Sequence, residues 1–206
     1  MVSFLIILSY TQGGIDVTDA KQFFEDYVSL VTDQYWAEYH DNSRWTVCVT
    51  KLIRGLIEKY GLTSQTEYFR IDVTGWVSHW EDIAAEAAEL GLRPHLWNLK
   101  IAVEHENDSS DWTDELVKLT HIRCPLKVII GYTPCDMRGS GGLEDKRLSF
   151  AARLLRGVEA LDPASKEQYL VILGNSAPKH SNSPKYSDYG YRGYIYDYEA
   201  KQFMQL

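Results

Sequence analysis

Ile101-Ala102-Val103-Glu104-His105-Glu106-Asn107 reads as the end of a strand that is apolar on one face and acidic on the other. Side chains alternate along a strand, so Lys100, Glu104 and Glu106 share one side while Ile101 and Val103 take the opposite one. Glu104 and Glu106 then stand about 6–7 Å apart along the chain, and His105 between them points the other way.

Upstream, Tyr68-Phe69-Arg70-Ile71-Asp72-Val73 alternates in the same manner and predicts a second strand that ends near Asp72 and is closed by Gly75. If the two strands pair, three carboxylates gather. Like charges at that range raise one another's pKa and oppose folding. A bound hard cation removes the repulsion, and all-oxygen ligands suit Mg²⁺ or Mn²⁺ rather than zinc. The alternative is an exposed polar face, with the acids solvated or paired to Lys100 or Arg70.

The surrounding pattern alternates helices and strands. Residues 18–40 place Phe23, Phe24, Tyr27, Leu30, Val31 and Tyr35 at helical spacing. Ser43 is positioned to cap a second helix through Leu52, Ile53, Leu56 and Ile57, which Gly61 ends. Residues 81–90 are alanine-rich and helix-favouring, with Gly91 just past the end. Strand 96–106 follows, then a helix capped by Asp111 and running to about His121, with Asp114 and Glu115 in its first turn. Leu126-Lys127-Val128-Ile129-Ile130-Gly131-Tyr132 is a buried-strand run. Beyond a Gly-rich turn at 139–142 come a helix at 144–161, stopped by Asp162-Pro163, and a strand at 169–173. Residues 175–198 are rich in Ser, Gly, Pro and Tyr and form a long loop or an irregular hairpin. Such alternation predicts one α/β domain over 1–206, built around a mixed sheet.

The succession of helix, strand with Asp72, strand with Glu104-His105-Glu106, helix and buried strand resembles the PD-(D/E)XK (restriction-endonuclease-like) nuclease superfamily. The resemblance covers residues 51–132, leaving 143–206 as a C-terminal helix, strand and Tyr-rich segment. It implies a three-layer α/β/α fold with a central mixed β-sheet. It also implies a metal-dependent endonuclease that hydrolyses DNA phosphodiester bonds, with Asp72 and Glu104 on Mg²⁺ or Mn²⁺. Two departures bear on activity. The long interval between Asp72 and Glu104 admits the 81–90 helix where many members have a tight hairpin. Glu106 occupies the family's lysine position, as in a minority of active Glu-x-Glu members. In other members the lysine has moved to the following helix, where Lys118 stands; equally, Lys118 pairs with Glu115 at i, i+3 as any helix-face ion pair would. Glu58 in the preceding helix is either an added ligand or a solvated acid. The alternative function is a catalytically inactive nuclease-like fold that binds nucleic acid or protein. A glycosidase is weaker, because same-strand carboxylates do not flank a sugar bond.

Composition is that of a globular protein: 206 residues, 45% apolar and 24% charged. Three cysteines (Cys48, Cys124 and Cys135) form no CxxC pair, and the odd count favours a reducing cytoplasm over a disulfide framework. Val2-Ser3-Phe4-Leu5-Ile6-Ile7-Leu8 lacks the basic start and cleavage site of a signal peptide and reads as a buried strand. No apolar run approaches the roughly 20 residues that span a bilayer, so no membrane association is expected. Net charge is −8, unevenly spread: from Lys146 onward nine Lys/Arg face six Asp/Glu, a net +3, while the preceding residues carry −11. DNA, and a second copy of the chain as a homodimer, are the expected partners. Six of the fourteen tyrosines fall between Tyr186 and Tyr198 beside Lys179, His180, Lys185 and Arg192, a pattern for base stacking or for a strand packed on the core. His95, His105 and His121 have no zinc spacing, and no GxSxG, Walker loop or GxGxxG occurs.

Overall fold

The computed structural model describes residues 19–39, 41–78, 84–92, 97–108, 112–134, 142–158, 167–176 and 189–206. The apolar run at 2–8, His95, Asp111, Cys135, the first residues of the Gly-rich turn, Asp162-Pro163, and Lys179, His180, Lys185 and Tyr186 lie outside them.

Leu126–Pro134 (β4) and Gln168–Ser176 (β5) are buried along nearly their whole length, which requires cover on both faces and suits parallel pairing at the centre of a sheet. Trp97–His105 (β3) pairs parallel to β4, and antiparallel to Ile71–Ser78 (β2), which pairs antiparallel to Thr63–Tyr68 (β1). Beyond β5, Arg192–Asp197 (β6) and Gln202–Gln205 (β7) add antiparallel. The seven strands thus form one mixed sheet in sequential order.

Alternation along the central strands sorts their side chains into two cores. Ile101, Val103, Val128, Ile130, Leu170 and Ile172 pack with Phe23 and Tyr27 of Ala20–Leu30 (α1) and Trp45, Val49, Ile53 and Ile57 of a later, longer helix, Asn42–Lys59. Ala102, Ile129, Val171 and Leu173 pack with Leu116 and Leu119 of one further helix, Trp112–Thr120, and with Leu148, Ala152 and Leu155 of another, Leu143–Gly157. The 4-residue helix Trp36–Tyr39 is α2, Asn42–Lys59 is α3, Ala84–Glu89 is α4, Trp112–Thr120 is α5 and Leu143–Gly157 is α6. No helix among the described residues is long and apolar enough to cross a membrane.

Several boundaries differ from expectation, each for a local reason. The single helix expected over 18–40 is interrupted: α1 closes at Val31, which turns extended (φ −81°, ψ 100°), and a 3-10 turn at Asp33–Tyr35 precedes α2. Val31 and Thr32 are both β-branched and lose rotamer freedom in a helix. Asp41 rather than Ser43 caps α3, its carboxylate accepting the Arg44 N–H at 3.0 Å. Gly61 and Gly91 do sit past their helices in the left-handed region (φ 76° and 65°).

The largest correction concerns 68–73. The segment is a hairpin turn rather than a strand: β1 ends at Tyr68, Phe69 and Arg70 form the turn, and β2 opens at Ile71. Asp72 therefore lies at the start of a strand. Gly75 lies inside β2, where a β-bulge follows it, and a Cβ there would sit 2.9 Å from Ile57 Cγ2. Its role is to let α3 approach the sheet.

Candidate metal centre

The register of β2 on β3 places Val73 beside Val103 and Thr74 beside Ala102, so Asp72 falls opposite Glu104. Each carboxylate is turned toward the other strand's backbone. The His105 N–H donates to Asp72 Oδ2 at 2.8 Å, and the Asp72 N–H points to Glu104 Oε2 at 3.4 Å. Two acids from distant sequence are thereby held at one point of the sheet.

The third component comes from α5, which packs over this face. Lys118 Nζ lies 2.8 Å from Glu104 Oε1, contacts Glu115, and donates to the Arg70 carbonyl at 3.0 Å. Lys118 makes the i, i+3 pair with Glu115 and also reaches Glu104. Glu104 Oε1 and Glu115 Oε2 meet this ammonium as ion-pair contacts without hydrogen-bond geometry.

Glu104 is 1% exposed. Burial, with Asp72 adding to it, pushes its carboxyl up to about 8 against the pull of Lys118. Burial also raises Asp72, although the His105 N–H and Lys118 oppose the shift. Lys118 is 34% exposed; burial lowers it, but Glu104 and Glu115 outweigh that and hold it above the usual lysine value.

Glu106 lies just past the end of β3. β3 ends at His105, and beyond it the Glu106 N–H donates to the Ile130 carbonyl while Glu106 Oε1 accepts the Asp108 N–H at 2.6 Å. Glu58 is engaged on α3, against the opposite face of the sheet, where it accepts from Ser64 Oγ at 2.6 Å and faces Arg54. Among the described residues no group of three or more His, Cys, Asp or Glu is arranged to hold a metal ion. What Asp72 and Glu104 offer is a pair of hard oxygens: Glu104 Oε1 has only the Lys118 contact, and Asp72 Oδ1 has no hydrogen bond among the described residues. Such a donor set fits Mg²⁺, which takes one or two carboxylates and keeps water and phosphate for the rest.

His105 points to the other face, as alternation predicts, into a polar seam within the first core. Its Nε2 meets Tyr132 Oη at 2.8 Å, and the Trp45 indole donates to the same oxygen at 2.5 Å. Burial pulls the imidazole down to about 3, so it is neutral. Tyr132 and Trp45 were not singled out in the sequence; a tyrosine closing an apolar strand run was the available signal, because a buried hydroxyl needs a partner.

The Tyr-rich tail is core on its described side. Tyr194 and Tyr196 are buried in the second cluster, and Arg192 pairs with the buried Glu144 of α6, whose carboxylate also accepts from Tyr194 Oη at 2.6 Å. Cys48 and Cys124 are free thiols that burial pushes up to about 11 and about 12, away from nucleophilic use.

No family model, curated protein or solved structure matches the chain.

Proposed function

We propose that the chain is a metal-dependent endonuclease of the restriction-endonuclease-like kind, hydrolysing DNA phosphodiester bonds with Asp72 and Glu104 as its metal-holding acids. The observation that carries this reading is the meeting of three groups: Asp72 of β2, Glu104 of β3 and Lys118 of α5. Supporting it is the element order α3, β1, β2, α4, β3, α5, β4. An antiparallel three-strand meander continues through a helix into a parallel strand, with helices on both faces of the sheet, as a three-layer α/β/α nuclease core would have.

Bound Mg²⁺ or Mn²⁺ would lower the pKa of a water and neutralise charge on the attacked phosphate. The chain's own contribution is placement. The β2–β3 pairing fixes the two carboxylates, and two backbone N–H groups orient them before any cation arrives. Lys118 carries a positive charge beside Glu104, where it can orient the attacking water or meet the charge that builds on phosphorus. The lysine missing from the position of Glu106 is thus supplied from α5.

The second reading is a non-catalytic binding module. It is favoured by the way Lys118 already neutralises Glu104 and Glu115 as a structural ion-pair group. Nicking of supercoiled plasmid in Mn²⁺ or Mg²⁺ separates the two. The nuclease reading expects cleavage by the parent protein and none by Glu104→Ala with its circular dichroism unchanged. Cleavage by Glu104→Ala equal to the parent's, or none by either, removes it.

A further inference from the structure

Phe69 and Arg70 form a two-residue hairpin loop, since Tyr68 pairs directly with Ile71. Both take positive φ (51° and 62°), as does Glu67 before them (54°). Turns of this geometry favour Asn-Gly or Asp-Gly, because a Cβ at positive φ clashes with the backbone. A phenylalanine and an arginine there are strained, and strain of this kind concentrates where a side chain must be presented.

What the turn presents is an aromatic ring and a cation. Phe69 is 78% exposed and meets the Tyr68 ring edge to face, and Tyr68 in turn stacks edge-on to Trp76. Arg70 is exposed, and among the described residues its guanidinium has no ion pair. Their position is tied to the acids: the ammonium of Lys118 that lies 2.8 Å from Glu104 Oε1 is also 3.0 Å from the Arg70 carbonyl oxygen. The tip and the candidate metal-binding carboxylate share one nitrogen as their common neighbour.

We infer that the Phe69-Arg70 tip is a single-strand contact, in which Phe69 stacks on an unpaired base of a DNA strand and Arg70 meets its phosphate beside the Asp72–Glu104 site. This rests on the nuclease reading and narrows it, from DNA in general to DNA with unpaired bases near the scissile bond. An exposed ring next to a free cation is what single-strand binding uses, because every base has a face to stack and every nucleotide a charge to meet. A duplex, its bases already stacked, offers Phe69 no such face.

The test is fluorescence anisotropy with a fluorescein-labelled oligothymidylate and a duplex of equal length, with Ca²⁺ in place of Mg²⁺. Phe69→Ala and Phe69→Asn are compared with the parent. Asn tolerates positive φ, so Phe69→Asn keeps the turn while deleting the ring. Its thermal midpoint should equal or exceed the parent's. We expect about tenfold weaker oligothymidylate binding in both variants, less than about twofold change on duplex, and recovery in Phe69→Trp. Arg70→Ala should weaken both substrates and flatten the salt dependence by about one charge. Parent-like oligothymidylate binding by Phe69→Asn, parallel loss on both substrates, or no oligothymidylate binding by the parent overturns the inference. Plasmid nicking keeps the two proposals apart. Nicking lost in Glu104→Ala, with Phe69→Asn binding unchanged, sinks the tip alone. Phe69-dependent binding without nicking by the parent sinks the nuclease reading and leaves the tip standing as a single-strand contact.

Discussion

Lys118 Nζ stands 2.8 Å from Glu104 Oε1, joining the last turn of α5 to the end of β3 across the sheet face. The pair matters because Glu104 is otherwise a buried acid: its desolvation is opposed chiefly by this one ammonium, and Asp72 on the neighbouring strand adds a like charge. Removing Lys118 leaves Glu104 in surroundings that do not favour its charge, whereas Lys118 without Glu104 keeps Glu115 and the Arg70 carbonyl.

Replacement of Lys118 by Met keeps the bulk of the side chain and removes the charge. Glu104 then loses the group that pulls its carboxyl down, and its pKa rises further. Plasmid nicking is expected to fall about a hundredfold, the scale of a lost acid–base or charge-stabilising group. Lys118→Arg should recover part of it. Full nicking by Lys118→Met would confine the lysine to an ion-pair role.

The raised carboxyl of Glu104 gives metal binding a pH dependence of definite sign. A cation competes with the proton, so Mn²⁺ affinity measured by calorimetry should increase with pH and level off only above about 8, the value to which burial pushes the Glu104 carboxyl. Stability runs the other way. The folded state holds the Glu104 proton more tightly than the unfolded chain, so this contribution is complete below the ordinary value of 4.5 and is lost as pH rises through about 8. In EDTA, the thermal midpoint of Glu104→Gln should gain on the parent between about pH 5 and about pH 9. A constant difference would show that Glu104 does not titrate there.

His105 has the opposite linkage. Burial holds it neutral to about 3, whereas the unfolded chain takes up a proton near the ordinary value of 6.5. Stability from this group is present above 6.5 and falls as pH drops. Between about pH 7 and about pH 5 the loss is about 2 kcal/mol relative to a His105→Gln variant, read from urea unfolding. Equal acid dependence in the two proteins would mean that the imidazole is not neutral in the folded state.

Much of the site was legible because it depends on alternation. Glu104 and His105 must point to opposite faces of β3, and they do: one meets Lys118, the other Tyr132. That Asp72 and Glu104 would meet followed only if their strands paired, and β2–β3 pairing supplies this. The place of Glu106 was less legible, because nothing in Glu104-His105-Glu106 itself marks His105 as the last strand residue. The turn at Phe69-Arg70 was hidden for a different reason. Phe69 favours strand, and the hairpin closed by Tyr68 and Ile71, held from 48 residues away by Lys118 on the Arg70 carbonyl, overrides that preference. The pairing of Glu144 with Arg192 spans 48 residues and has no local signature.

Whether Asp72 and Glu104 form a metal site is read directly from an anomalous difference map of a crystal soaked in Mn²⁺. The expected map has a peak at bonding distance from both carboxylates, with Lys118 Nζ displaced from Glu104 Oε1, and no peak in Glu104→Ala crystals treated alike. A map without density between Asp72 and Glu104, with Lys118 still seated on Glu104, would contradict the metal site.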